Sequence, residues 1–330
     1  MKTHTNIPVF IVHEGCPHMC VFCSQREISG APAAETEPLR VRETIESFLA
    51  RGRRERTEIA FFGGSFTGIG TERMTALLKI ADEYVRSGAV DGIRLSTRPD
   101  YIDDERLDIL EEYGVTAIEL GIQSMDDAVL TACERGHTAE DTRRASHLIK
   151  RRGCFELVGQ MMTGLPGGTP ENELYTAKEL VRCGCDCARI YPTVVIPGTR
   201  LEQMLLNGEY ELADERSTIT RCAAVLRVFL ENSVKVIRIG LQDVESVRGC
   251  LGYDSAIGER VWSRLYLENV RAGLRGRKKV VLKVAPRFMS RLTGQHRENL
   301  TLLREEDGVE YIKLGTDTSL GEGEVKVLSL

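Results

Sequence analysis

The sequence predicts an α/β protein whose N-terminal part is an open, partial TIM-type barrel of six βα units, a partial (β/α)6 barrel. Short apolar runs rich in β-branched and aromatic residues recur along the chain, and each is followed by a longer stretch with the spacing of an amphipathic helix. Such alternation implies βαβ units and a parallel sheet. Chemically active residues are then expected at the C-terminal ends of the strands. A doubly wound sheet is the alternative fold for this pattern.

The six predicted strands alternate with five predicted helices. Thr71, Asp104 and Thr169 stand at the starts of three of these helices and are typical N-cap residues. The predicted strands are 7–12, 57–62, 92–97, 116–121, 155–162 and 188–195, and the predicted helices are 39–51, 71–86, 104–114, 139–153 and 170–184.

Beyond the sixth strand the pattern becomes less regular. Helices are predicted at 216–231, 255–272 and 296–304, and strands at 235–240, 280–285, 309–314 and 324–328. We therefore expect a barrel core over residues 1–212 and a small C-terminal α+β extension over residues 213–330. The boundary is soft because no low-complexity linker separates the two parts.

Composition limits the classes of protein to which the chain can belong. It has 330 residues, a formal net charge of −5 and 42% hydrophobic residues, which is ample for a large core and gives no overall sign of a nucleic-acid partner. No long apolar run and no signal peptide are present, so we expect a cytoplasmic protein without a membrane partner. Ten cysteines in such a protein should be reduced, and a cluster of them indicates metal binding or catalysis.

Three cysteines lie close together just after the first predicted strand, in the stretch EGCPHMCVFCSQ. Cys16, Cys20 and Cys23 are enough to hold three irons of a cubane 4Fe–4S cluster, which leaves the fourth iron free for an exogenous ligand. A zinc site is the alternative, with His13 or His18 as the fourth ligand. A further group, Cys183, Cys185 and Cys187, crosses a predicted helix end and strand start, so we interpret these as ordinary buried cysteines.

The other predicted strands also end in glycine, proline or polar residues. These segments are GGSFTG at 63–68, RPDY at 98–101, IQS at 122–124, TGLPGG at 163–168 and IPGT at 196–199. Ordinary βα turns explain the glycines, but they do not explain the cysteines.

The C-x3-C-x2-C spacing, with Phe22 before the last cysteine, resembles the radical S-adenosylmethionine (radical SAM) enzymes. The resemblance implies a partial (β/α)6 barrel with a 4Fe–4S cluster and S-adenosyl-L-methionine as cofactors. It further implies that an electron donor such as flavodoxin or ferredoxin supplies one electron, and that SAM is cleaved to a 5′-deoxyadenosyl radical.

Six blocks between about residues 6 and 212 resemble, in order, the radical SAM core of the Elongator catalytic subunit. They include FFGGSFTGI, STRPDYID, ELGIQSMDDAVL with RGHT, and MMTGLPGGT. That enzyme modifies C5 of the wobble uridine in tRNA, so the resemblance implies an RNA substrate. A weaker likeness to oxygen-independent coproporphyrinogen oxidase gives the alternative, a small-molecule oxidoreductase.

The resemblance assigns roles to particular residues. It makes Cys16, Cys20 and Cys23 the cluster ligands. The glycine motif is expected to receive the methionyl amino group, because glycine lets backbone carbonyls approach an ammonium closely. Arg98 is a candidate for the SAM carboxylate, with a structural ion pair to Asp100 as the equal alternative, and Glu119 is either a site residue or a barrel-interior acid. The expected SAM-binding residues are Gly63, Gly64, Ser65, Arg98, Gln123 and Ser124.

The chain departs from the Elongator pattern at several points. Ser96 replaces a glutamate and Gln160 replaces a histidine. The C-terminal extension shows no acetyl-CoA signature, so carboxymethyl transfer from acetyl-CoA is not expected.

A basic segment lies within the C-terminal extension. Residues 271–304 contain ten Lys and Arg against one acid, Glu298, and the following tail is acidic. Such a local excess is typical of phosphate-backbone binding, and a helix face neutralised by the tail is the alternative. The candidate phosphate contacts are Lys278, Lys279, Lys283, Arg287 and Arg291.

Overall fold

The computed structural model describes residues 4–17, 19–30 and 37–330. In these ranges the strands are β1 (His4–Phe10), β2 (Arg56–Phe62), β3 (Gly92–Thr97), β4 (Val115–Gln123), β5 (Glu156–Thr163), β6 (Cys187–Pro192), β7 (Lys235–Ile239), β8 (Lys279–Val284), β9 (Tyr311–Thr316) and β10 (Lys326–Ser329). The helices are α1 (Gln25–Ser29), α2 (Pro38–Leu49), α3 (Thr71–Arg86), α4 (Asp104–Glu112), α5 (Asp127–Ala132), α6 (Ala139–Arg152), α7 (Pro170–Arg182), α8 (Arg200–Leu206), α9 (Glu215–Glu231), α10 (Ile257–Leu274), α11 (Met289–Thr293) and α12 (Glu298–Glu305).

The first sheet has seven parallel strands in the order β1 to β7, each paired with the next along the chain. Strand order in a doubly wound sheet reverses at a switch point, whereas here it never does. The sheet is therefore a partial barrel, and the predicted fold class is confirmed.

β7 is the main difference from the predicted strand count. The sequence places this segment in the C-terminal extension, but β7 pairs in parallel with β6, for example Ala188 with Val236. Its side chains are exposed or only half-buried, so it lacks the continuous apolar run that marks the buried inner strands. It extends the barrel sheet as a seventh strand and forms its edge.

A second, three-stranded sheet follows, with the order β10–β8–β9. β8 is its central strand, antiparallel to β10 and parallel to β9. Since α9 and β7 join the barrel, this sheet begins 66 residues after the predicted start of the extension, at Lys279 rather than at residue 213 (279 − 213). The division into two domains stays a prediction.

One apolar core links the two sheets. The side chains of the barrel strands that face the helices, such as Ile59 and Leu95, belong to the same buried cluster as Trp262, Val280 and Leu282. A contiguous cluster of this kind is what identifies a single core. Within the described ranges, none of the helices combines the length and the apolar character that crossing a bilayer requires.

Helix starts follow the predicted chemistry with small shifts. Thr169 caps α7, since its side chain accepts from the Asn172 N–H in a capping box. α4 is capped by Asp103 rather than Asp104, and Gly70 rather than Thr71 is the N-cap of α3. These caps fix where the helices leave the C-terminal strand ends, which is where the site residues lie.

Candidate active site

The C-terminal ends of the barrel strands open into one pocket that contains about 1400 Å³ of free space, part of it open to solvent. Its wall brings together most of the predicted site residues, although they come from four different strand ends. The predicted residues that line it are Cys16, Cys20, Cys23, Gly63, Gly64, Arg98 and Gln123. Ser65 and Ser124 are buried and are not part of the wall.

The cysteine loop, which we define as residues 11–24 without the undescribed residue 18, begins by folding along the end of β2. The N–H of Ile11 donates to the Phe62 carbonyl at 2.7 Å, and the N–H of His13 donates to Gly63 at 2.9 Å. Val21 and Phe22, between the second and third cysteines, are buried in a small apolar cluster. The loop is therefore held at both ends, by the sheet and by this cluster.

The three thiols are near one another, and each is at least half-buried. Burial raises the pKa of Cys16, and Arg135 acts against this increase. Burial raises the pKa of Cys23 to about 12, and the nearby Cys20 adds to the effect. Thiols in such an environment stay protonated until a metal displaces the protons.

The arrangement suits a cluster better than a single metal ion. In the described part of the chain, no three His, Cys, Asp or Glu side chains are grouped closely enough to hold one ion. The sulfurs of a zinc site must all lie about 2.3 Å from one centre, whereas cubane thiolates bind separate irons. Nε2 of His13 already accepts the Gln25 backbone N–H at 3.0 Å, and His18, the other predicted zinc ligand, lies outside the described residues.

The glycine motif packs directly against the cysteine loop. A Cβ on Gly64 would lie 2.4 Å from the Glu14 carbonyl oxygen and 2.5 Å from that of Ile11. A Cβ on Gly15 would lie 2.1 Å from the carbonyl oxygen of Ser65. These glycines therefore allow two backbone segments to touch, which the sequence interpretation did not foresee.

Arg98 forms the ion pair with Asp100 that was one of the two sequence interpretations, and its role toward the SAM carboxylate stays a prediction. Its Nε and Nη2 donate to the Asp100 carboxylate at 2.9 and 2.8 Å. Its Nη1 is buried and has no hydrogen-bond partner among the described residues. The Ser65 hydroxyl accepts the Arg98 backbone N–H at 3.2 Å, so Ser65 supports Arg98 from behind the wall.

Gln123 is aimed by an irregularity of the sheet. The register of β4 against β5 shifts between Gly121 and Gln123, and Gln123 has a φ of 68°. Irregularities of this kind re-aim side chains beside active sites. The Oε1 atom of Gln123 is buried without a hydrogen-bond partner in the described ranges, while the Ser124 hydroxyl accepts the Asp126 N–H at 3.1 Å.

Arg135 is a site residue that the pattern of strand ends could not find. It follows the short helix α5, yet its Nη1 donates to the Cys20 sulfur at 3.4 Å and its Nη2 donates to the Gly121 carbonyl at 2.5 Å. The guanidinium is buried in the pocket wall. In the sequence, only the place of Arg135 in the motif RGHT, which resembles the Elongator core, points to it as a site residue.

A network of charged side chains lies inside the barrel, and two of its members, Glu119 and Arg189, line the pocket. Arg94 donates to Glu58, Glu119 and Glu156, and Arg189 makes two further hydrogen bonds to Glu119. Burial would raise the pKa of Glu58, but Arg94, with help from its other partners, lowers it to about 2. Glu119 is thus a barrel-interior acid that also lines the pocket.

Two sequence-family models match the chain. The radical SAM superfamily matches residues 10–180, more than half of the chain, and the radical SAM C-terminal domain matches residues 185–266. The second match spans β6, α8, α9, β7 and the first half of α10.

The chain also resembles several curated proteins. An uncharacterized protein of Methanocaldococcus jannaschii is 33% identical over 62% of this chain and 66% of its own length. A tRNA uridine(34) acetyltransferase of the same organism is 36% identical over 38% of this chain and 24% of its own length. Elongator complex protein 3 of Schizosaccharomyces pombe is 30% identical over 52% of this chain and 31% of its own length. The chain thus spans less than two thirds of each of these relatives.

Solved structures show the same fold. The Elp3 protein of Methanocaldococcus infernus with its N-terminus deleted superposes with a TM-score of 0.66 at 23% identity, over 87% of this chain and 67% of that chain. The coproporphyrinogen III oxidase of Escherichia coli gives a TM-score of 0.51 at 16% identity, over 69% of this chain and 52% of that chain. The protein is therefore a member of the radical SAM superfamily, an enzyme whose core resembles that of the Elongator catalytic subunit and whose cofactors are a 4Fe–4S cluster and S-adenosylmethionine.

Proposed function

We propose that this enzyme modifies a uridine base of tRNA, with its cluster held by Cys16, Cys20 and Cys23. The observation that carries the proposal is the meeting of these thiols with the unpartnered Nη1 of Arg98 and Oε1 of Gln123 in one pocket. The substrate class is supported by the relatives, several of which are named tRNA uridine(34) acetyltransferase or Elongator complex protein 3.

The residues around the thiols prepare the site. Cys16, Cys20 and Cys23 would hold the cluster, which would supply the electron for cleavage of the C–S bond of SAM. Gly64 seats the cysteine loop against the end of β2, and Arg135 donates a hydrogen bond to the Cys20 sulfur. A cationic donor beside a thiolate stabilises its negative charge.

Arg98 and Gln123 are the groups best placed to hold the polar end of SAM. The free Nη1 of Arg98 is a charged donor suited to a carboxylate, and the free Oε1 of Gln123 is an acceptor suited to an ammonium or a hydroxyl. Ser65 and Ser124 have positioning roles in this proposal, since their hydroxyls bind backbone N–H groups behind the wall.

The remaining pocket wall offers uncharged polar groups for a base. Gln160, Tyr191 and Gln242 line the pocket from β5, β6 and the segment after β7. Amide and hydroxyl groups both donate and accept, which matches the carbonyl and N–H groups of a uracil ring. Acetyl transfer is a property of longer relatives and is not part of the proposal.

The cluster assignment is tested by reconstituting the purified protein with iron and sulfide without oxygen. Cys16→Ala, Cys20→Ala and Cys23→Ala should each lose the brown colour, the bound iron and the SAM-dependent formation of 5′-deoxyadenosine. Cys185→Ala is the matched control and should keep all three, because Cys185 is buried against Gly159 and Leu180 at the other end of the barrel. Full 5′-deoxyadenosine formation in any variant of the first three would refute the assignment.

The substrate is tested by mass spectrometry of the nucleosides in tRNA from a deletion strain. One modified uridine should disappear on deletion, return with the wild-type gene and with Cys185→Ala, and stay absent with Cys20→Ala. An unchanged set of tRNA nucleosides would contradict the RNA substrate. A flavodoxin or ferredoxin as electron donor, and a cytoplasmic location, stay predictions from the sequence.

A further inference from the structure

The structure divides the predicted basic segment into neutralised and free charges. Arg271 pairs with Glu306 and Asp307, and Arg291 pairs with Glu259 and Glu322. Arg291 also stacks on Trp262, with its guanidinium carbon 4.7 Å from the ring centroid. Arg271 and Arg291 are therefore neutralised within the fold, and they are not free to bind phosphate.

A different set of cations lies on the outer face of the second sheet. Residues paired across neighbouring strands point to the same side, so the register places Lys279 beside Tyr311, Val281 beside Lys313, and Lys283 beside Lys326. The opposite face carries Ile312, Leu314 and Val327, which pack against the core. We call the outer set, Lys279, Lys283, Lys313, Lys326 and Tyr311, the lysine face.

The charges of the lysine face are not compensated within the sheet. None of the residues of β8, β9 and β10 is acidic. Within the described part of the chain, none of the four lysines takes part in an ion pair. Asp317, which follows β9, is bound by Ser319, and its pKa is lowered first by those hydrogen bonds and then by Lys326 and Lys283.

Protection of sheet edges explains only two of these lysines, Lys313 and Lys326. Lysines often guard the edge strands β9 and β10 of such a sheet against aggregation, but Lys279 and Lys283 lie on the central strand β8. Lys283 and Lys326 also stand directly opposite each other on antiparallel strands, where like charges destabilise. A bound anion would remove that cost.

We propose that the lysine face binds the phosphate backbone of an RNA. The four lysines carry the positive charge of the surface. The surface is open, because the Lys283 side chain lies along Gly315, which has no side chain, and Tyr311 beside Lys279 is 50% exposed. An open sheet that presents cations and an aromatic ring suits phosphates and an unpaired base. This inference rests on the proposed function, since the RNA concerned is the tRNA substrate.

The test compares two triple variants of the full-length holoenzyme. Lys283→Gln/Lys313→Gln/Lys326→Gln removes three charges from the lysine face. Lys79→Gln/Lys178→Gln/Lys235→Gln removes three exposed lysines of α3, α7 and β7, so the net charge changes equally. Fluorescence anisotropy follows the binding of an unmodified tRNA transcript between about 50 and 200 mM salt.

We expect the lysine-face variant to bind tRNA more weakly and to flatten the slope of log affinity against log salt by about two to three, because each lost phosphate contact contributes roughly 0.7 to 0.9. The control variant should keep the wild-type slope. Thermal melting checks folding, and the lysine-face variant should not melt earlier, since the replacement of Lys326 relieves a repulsion. A Tyr311→Ala variant should weaken binding without changing the slope.

The outcomes separate this inference from the proposed function. Equal slopes for the two triple variants would overturn the lysine face and leave the tRNA substrate standing. Absence of tRNA binding by the wild type at low salt would overturn both. Loss of a dimer in sedimentation experiments on the lysine-face variant, with unchanged tRNA binding, would show that the face binds a second copy of the chain instead.

Discussion

Gly64 supports the cysteine loop through a contact of backbone with backbone. Replacement by alanine would force the carbonyls of Ile11 and Glu14 to move, and both belong to the loop that leads to Cys16. We therefore expect Gly64→Ala to lose bound iron as well as SAM binding. The sequence interpretation gave Gly64 a role in SAM binding alone.

Gly63→Ala is the matched variant for this prediction. Its φ of 92° strains any other residue, but the nearest atom to a Cβ is the Phe10 side chain at 3.5 Å. The strained backbone of this variant should cost about 1–3 kcal/mol of stability and so lower the melting temperature. The iron content after reconstitution should stay that of the wild type. Equal iron loss in both variants would show that the contact with Ile11 and Glu14 is not decisive.

Arg135 allows a prediction about the redox properties of the cluster. Hydrogen bonds to the sulfurs and nearby positive charge make a cluster easier to reduce. Arg135→Met removes both from Cys20 and should lower the midpoint potential by on the order of tens of millivolts. Potentiometric titration measures this shift. Arg42→Met, which removes an exposed arginine of α2, is the control, and an equal shift in both variants would contradict the role of Arg135.

His137 gives a prediction about pH. Burial, and then the neighbouring Arg135, lower the pKa of His137 from 6.5 to about 3. Between these values the unfolded chain binds a proton that the folded chain does not, so the stability of the apo protein should fall as the pH drops below about 6.5, by up to about 1.4 kcal/mol per pH unit. Urea unfolding at several pH values measures this slope.

His137→Gln should flatten the dependence on pH between about 6.5 and 5, since glutamine takes up no proton in either state. His147→Gln, at an exposed position of α6, is the control and should leave the slope unchanged. Parallel pH profiles for wild type and His137→Gln would show that the pKa of His137 does not govern acid stability.

Individual residues were predictable where their chemistry is tied to sequence spacing. The three cysteines and the strand-end residues Arg98 and Gln123 do meet in one pocket. Ser65 and Ser124 share those motifs but turn to backbone groups, because alternate side chains of an extended segment face opposite sides. Arg135 reaches the site from outside any strand end, so only the folded chain reveals it.

At the scale of elements, the barrel depends on the ionic network in its interior. Arg94 of β3 binds Glu58, Glu119 and Glu156, so the network joins four adjacent strands, and the Arg94 side chain is only 4% exposed. Arg94→Met would remove the cation that joins three carboxylates, although Glu58 keeps Arg56 and Glu119 keeps Arg189, and we expect a loss of about 1–3 kcal/mol in the free energy of unfolding. Arg42→Met, at an exposed pair, should change stability little.

Urea titration of the two variants decides this prediction. A similar, small effect for both would contradict the prediction and would mean that the cations that remain, Arg56 and Arg189, compensate the carboxylates. Restoration of part of the stability by adding Glu156→Gln to Arg94→Met would support the electrostatic explanation, because Arg94 is the cation that Glu156 binds.

Element bounds followed from local patterns where the apolar period was clear. α3 and β3 begin and end at the predicted residues 71–86 and 92–97. The short helices α1, α5 and α8 were not predicted, since five to seven residues carry too little periodicity. β7 was predicted as a strand, but its place beside β6 depends on long-range pairing that no local pattern contains.

At the scale of the molecule, the sequence could predict the partial barrel, because alternating strands and helices leave few topologies. It could not predict the lysine face, because Lys313 and Lys326 lie in the segment that appears acidic along the chain. Only the register of β8 with β9 and β10 brings these lysines beside Lys283.

The shared core makes a prediction about cooperativity. Trp262 is the only tryptophan of the chain and lies buried in α10, where a Cβ on Gly323 of the second sheet's connection would be 3.8 Å from its ring. Its fluorescence therefore reports on the C-terminal part, while far-UV circular dichroism reports mainly on the barrel helices. Because Trp262, Val280 and Ile7 belong to one buried cluster, we expect the two signals to change at the same urea concentration.

Coincident transitions would mean that the C-terminal extension does not unfold separately from the barrel. The experiment uses the apo protein, so that cluster loss does not add a second step. A tryptophan transition at lower urea than the circular dichroism transition would contradict the prediction and would favour two independent domains. In that case Val327→Ala, which removes methyl groups that pack against Gly273, should destabilise only the second sheet. The difference in urea concentration between the two transitions should then increase.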